Sequence, residues 1–107
     1  MEKLKRLKKI SSSFIDKKKH KKINKIKDKN ERLDVLQNSL ISELKLKQLN
    51  LDLKIKKIKE KKIKRLLSSK SHIIHSKILL LRTGFNEKDF KKIDSLLNKL
   101  EEEISNV

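Results

Sequence analysis

The chain has 107 residues, with 31 Lys or Arg against 14 Asp or Glu; at a net charge of +17 and 35% hydrophobic residues, any core it builds is thin. With no Cys it can form no disulfide, thiolate nucleophile or Cys-ligated zinc site, and its one Gly leaves no P-loop or dinucleotide-binding fingerprint. Its longest unbroken apolar run, Ile78 to Leu81, falls far short of the roughly 20 apolar residues that a membrane-spanning helix needs.

In chain order, residues 2–10 set Leu4, Leu7 and Ile10 three apart among Lys and Arg. This spacing predicts a short basic amphipathic helix, stopped by Ser11, Ser12 and Ser13. Residues 16–32 follow, with the run Lys17, Lys18, Lys19, His20, Lys21, Lys22 and only Ile23 and Ile26 as apolar residues. Like charges this dense predict a segment that is disordered or partly helical until an anion neutralises it.

From Leu33 to Leu67 the residues Leu33, Leu40, Leu44, Leu51, Ile55 and Ile58 follow the steps of a helix seam. Leu49, Leu51, Leu53 and Ile55 also alternate with polar residues, as a strand would. Length and the lack of turn residues decide for helix, and one with two apolar faces requires two partners, or one partner and nucleic acid. Ser68, Ser69 and Ser71 offer N-caps for the next helix, whose apolar residues centre on Ile73, Ile74 and Ile78 to Leu81.

Gly84 suits the left-handed position that ends a helix. Asn86 then reads as an N-cap, with Asp89 at the third helical position. Phe85 and Phe90 fit a hydrophobic staple. Beyond it Phe90, Ile93, Leu97, Leu100 and Ile104 keep heptad spacing, so residues 70–105 read as a helical hairpin.

The fold class expected is therefore all-α: a basic N-terminal arm over 1–32, extended or helical on binding, a long basic helix over 33–67, and an antiparallel helical hairpin over 68–107. Charge follows the same division. Residues 1–32 carry 14 basic against 4 acidic residues, net +10; residues 33–67 carry 10 against 4, net +6; residues 68–107 carry 7 against 6, net +1. AT-rich codon usage accounts for Lys over Arg but not for the excess of positive charge, which points to a polyanionic partner.

No constellation suits catalysis. The Ser residues sit in clusters that resemble helix breaks. His72 and His75 share a helix face with no Cys or His–Glu motif beside them, and they read as flanking an apolar helix rather than holding a metal. No cofactor is expected. Nucleic-acid contact is assigned to Lys5, Arg6, Lys8, Lys9, Lys17, Lys18, Lys19, Lys21, Lys22, Lys25, Lys56, Lys57, Lys61, Lys62, Lys64 and Arg65. Three Phe and four Arg provide few stacking platforms or bidentate base readers, which leaves Lys contact with phosphates and favours RNA over DNA. Docking on protein is assigned to Phe85, Phe90, Ile93, Leu97, Leu100 and Ile104 of the hairpin.

These features fit a ribosomal or ribosome-assembly component in a ribonucleoprotein particle. The alternative is a coiled-coil structural subunit of a multi-protein complex, with incidental DNA or membrane-surface contact. A third reading takes residues 1–15 as a helix lying on an anionic membrane or as a presequence, against which Glu2 counts.

Overall fold

A sequence without Pro and rich in Lys, Leu and Ile meets few obstacles to helix, and the computed structural model consists of helices joined by short connections. It describes residues 2–107, and side-chain surroundings for all of these but 2–5, 12 and 13. The helices are α1 (Glu2–Phe14), α2 (Lys17–Asn24), α3 (Lys29–Lys56), α4 (Lys61–Leu81) and α5 (Glu87–Ser105). No strand occurs among the described residues, so the protein is all-α as its sequence predicts. The chain divides into two units, Met1–Glu43 and Leu44–Val107, and α3 begins in the first and ends in the second.

In the first unit the serines expected to stop α1 lie inside it. Ser11 is fully buried; its hydroxyl donates to the Lys8 carbonyl (2.9 Å) and contacts His20 Nε2 at 2.6 Å. A hydroxyl has one proton, already given to Lys8, so the ring nitrogen is the donor in the second contact. Serine weakens a helix by roughly 0.5 kcal/mol per residue, too little to end one whose neighbours bury Leu7 and Ile15. The lysine run that follows is helical too, as α2, with Ile23 buried beneath it. Arg32 closes the turn into α3 by donating from Nε (2.9 Å) and Nη2 (2.5 Å) to the Ile26 carbonyl. Asp28 Oδ1 accepts from the Asn30 amide (2.9 Å) where α3 starts.

In the second unit the four alternating residues of α3 separate by face. Leu51 and Ile55 are buried, while Leu49 and Leu53 are exposed at 46% and 58%. A strand would have put all four on one side; a helix sends residues two apart to different sides. Leu46, Leu49 and Leu53 form the second apolar face that the sequence implies, and it is exposed.

The long helix expected over 33–67 breaks at 57–60. The amides of Lys57 and Ile58 bond to carbonyls three residues back, Lys54 (3.2 Å) and Ile55 (3.0 Å), which tightens the last turn of α3. Helix α4 then starts at a carboxylate: Glu60 accepts from the amides of Lys62 (3.2 Å) and Ile63 (2.8 Å). Ser68, Ser69 and Ser71 therefore cap nothing. They lie within α4, where Ser71 is buried, accepts from Gln48 Nε2 (2.8 Å) and donates to Asp52 Oδ1 (3.5 Å). Gln48 Oε1 is buried without a hydrogen-bond partner among the described residues.

Helices α4 and α5 form the hairpin. The expected cap and staple are in place: Asn86 Oδ1 accepts from the amides of Lys88 (2.8 Å) and Asp89 (3.4 Å), and the Phe85 and Phe90 rings lie 5.8 Å apart. Lys70 reaches Glu103 at 2.7 Å, and Lys47 of α3 reaches Asp94 at 3.2 Å and Asn98 at 2.6 Å. Gly84 departs from expectation, since no residue described has a positive φ. Helix α4 ends instead through bonds from the amides of Arg82 and Thr83 to carbonyls three back, with the Thr83 hydroxyl donating to Leu80 (2.8 Å). A Cβ at Gly84 would meet nothing within 4 Å. Gly84→Ala should accordingly stabilise the protein by about 0.4–1 kcal/mol, because only the unfolded chain loses freedom. A urea midpoint that falls in this variant would contradict the conformation of the turn.

Candidate nucleic-acid interface

Helix α2 is built almost wholly of cations. At about 100° per residue, Lys17, Lys18, Lys21, Lys22 and Lys25 span an arc of about 140° opposite buried Ile23, and Lys19 borders that arc. All six are exposed, and none is in an ion pair among the described residues. Like charges at Lys17–Lys21 and Lys18–Lys22 oppose the helix by about 0.2–0.5 kcal/mol each. The burial of Ile23 and the His20–Ser11 bond act in the other direction. A phosphate chain along this face would remove the repulsion. In α1 of the same unit, Arg6 and Lys9 are exposed and Lys8 is half-buried; the Lys5 side chain lies outside the described residues.

A second cluster surrounds the α3–α4 turn in the other unit. Lys54, Lys56, Lys57, Lys59, Lys61, Lys62 and Arg65 are exposed there, and Lys64 is half-buried. Lys56 lies 3.8 Å from Asp52, a pair exposed enough to contribute little. The Glu60 carboxylate in their midst is engaged by the first amides of α4. Of these, Lys54 and Lys59 are absent from the contacts assigned on sequence. Each stands one apolar residue (Ile55 or Ile58) from the Lys56–Lys57 pair, and that proximity is the signal that groups them with the cluster. Each cluster is local to its unit.

The hairpin residues assigned to docking are placed differently. Phe90, Ile93, Leu97 and Leu100 are buried within the second unit, and Phe85 and Ile104 are half-buried. Exposed apolar surface is carried instead by Leu66, Ile73 and Leu80 of α4 and by the α3 stripe. His72 is exposed and His75 half-buried, and among the described residues no three His, Cys, Asp or Glu side chains are grouped to hold a metal ion. No described helix is long and apolar enough to cross a membrane. Compared with protein-family models, curated proteins and solved structures, the chain matches none.

Proposed function

We propose that this protein is a non-enzymatic nucleic-acid-binding component that grips phosphates through the cationic face of α2 and the lysines around the α3–α4 turn. The observation that supports it is the arc of α2: lysines on one face, exposed and without acidic partners among the described residues. Such contacts position a protein on a backbone and read little sequence. Structured RNA, whose phosphates crowd into clefts, is the favoured ligand, and a ribosomal or ribosome-assembly particle is the setting in which a small basic helical protein of this kind serves.

The test is salt dependence. Changing Lys17, Lys18, Lys19, Lys21 and Lys22 to Gln should weaken binding and flatten its dependence on salt. The slope of log affinity against log salt should fall by about 0.9 per lost contact on duplex DNA and about 0.7 on a single strand. The loss should be nearly equal for unrelated sequences. Unchanged affinity and slope on a structured RNA and on duplex DNA would remove α2 from the interface. A loss confined to one sequence would assign these lysines to base readout instead.

A second reading, a structural subunit of a multi-protein complex, draws on the exposed leucines Leu46, Leu49 and Leu53. Purification at moderate salt separates the two: co-purifying nucleic acid favours the first, and co-purifying protein alone favours the second.

A further inference from the structure

Between α4 and α5 lie two concavities of about 240 and 300 Å³ that share Lys77 and Leu96 in their walls and so form one groove. Its apolar lining comes from Ile73, Ile74 and Leu80 on α4 and from Leu96 and Leu100 on α5. Ile73 and Leu80 are 58% and 67% exposed, seven residues apart, and Leu66 extends their line by a further seven. The rim is charged: Lys70, Lys77, Lys92 and Lys99 stand against Asp89 and Glu103. Lys70 already holds Glu103, whereas Lys77, Lys92 and Lys99 are in no ion pair among the described residues. Lys88 and Lys91 lie farther along the same side of α5, and Lys91 is paired with Glu87.

We propose that this groove receives an acidic amphipathic helix from a partner protein. A concave apolar trough fits a convex helix, whereas a bilayer would call for a flat or protruding apolar face. The lysine rim selects Asp and Glu beside the partner's apolar stripe. A second copy of this chain is the wrong occupant, because it would bring another +17 to a positive rim. From Lys70 to Leu81, α4 advances about 16 Å, room for about three turns of a docked helix. The inference does not rest on the phosphate contacts proposed above, and it centres docking on exposed Ile73 and Leu80 of α4, with Ile93 and Leu100 of the α5 heptad, both buried, as part of the lining.

The experiment uses the full chain and a synthetic helical peptide of about 14 residues, with leucines at i, i+3, i+7 and i+10 and glutamates elsewhere. A scrambled peptide of the same composition controls for attraction to the net charge alone. The patterned peptide should bind at least about tenfold tighter than the scrambled one. Ile73→Glu and Leu80→Glu, both at exposed positions, should leave melting unchanged and each weaken the patterned peptide by about tenfold. The double reversal Lys77→Glu/Lys99→Glu should weaken it too, and should restore binding to a peptide with lysines in place of the glutamates. Equal binding of patterned and scrambled peptides would overturn the proposal, as would full binding by the Ile73 and Leu80 variants. If those two variants keep the peptide but lose binding to phosphatidylglycerol vesicles, or lose a dimer seen by sedimentation, the groove serves a membrane or a second copy and the proposal fails.

Discussion

Phe90→Ala should reduce stability by about 3–5 kcal/mol and sharply lower the melting temperature of the second unit. The ring is fully buried, stands one turn into α5, and packs beside Phe85. A unit of this size has about 3–10 kcal/mol of stability in all, so the substitution removes a large part of it. Thermal melting of the full chain, followed by circular dichroism, checks this directly. A melting curve like that of the unsubstituted protein would mean that the ring leaves no cavity behind, and that the hairpin does not depend on its staple. Phe85, which is half-buried, should matter less when replaced by Ala.

Asn50→Pro should have an effect of similar size, for a different reason. Asn50 is exposed in the middle of α3, so its side chain contributes little packing and the expected loss is one of backbone. Proline there removes an amide donor and sets its ring against the Leu46 carbonyl, costing about 3 kcal/mol or more. Amide-proton exchange over residues 44–56 should quicken, and helical signal should fall. An alanine at the same position should change neither. If proline is tolerated with exchange unaltered, then α3 is not continuous through Asn50.

Features decided by neighbouring residues were legible in the sequence. The start of α5 depends on Phe85, Asn86 and Phe90, close neighbours in the chain, and it was readable before any tertiary contact was known. The choice of helix over strand for residues 49–55 was readable from length, and burial then shows which two of the four apolar residues face inward. The break at 57–60 was not readable, because it contains neither Gly nor Pro, and its cap is Glu60, a residue type seldom favoured at an N-cap. The serine clusters misled for the converse reason: good cap residues were absorbed into helix interiors once their hydroxyls found partners such as Lys8, Gln48 and Asp52.

Among the site residues, the lysines of α2 and of the α3–α4 turn were readable as exposed cations, since nothing in so thin a core could bury them. The heptad from Phe90 to Ile104 was readable as apolar. Spacing alone does not say whether such a stripe meets its own chain or another. Here the chain covers Phe90, Ile93, Leu97 and Leu100 itself and leaves Ile73 and Leu80 open.

The hydrogen bond from Gln48 to Ser71 has a consequence for how α3 and α4 can align. Leucine and isoleucine layers tolerate sliding: moved by seven residues, Ile74 would be replaced by Leu67 or Leu81, with similar oil against similar oil. Ser71 has no such stand-in, for the residues seven away are Lys64 and Ile78, and neither offers a small hydroxyl to a buried amide. Gln48 is already short of one partner at Oε1, so a slipped alignment would strand its other end as well. The Gln48–Ser71 bond thus works as an indexing notch that reinforces the register already restricted by the four-residue connection between α3 and α4.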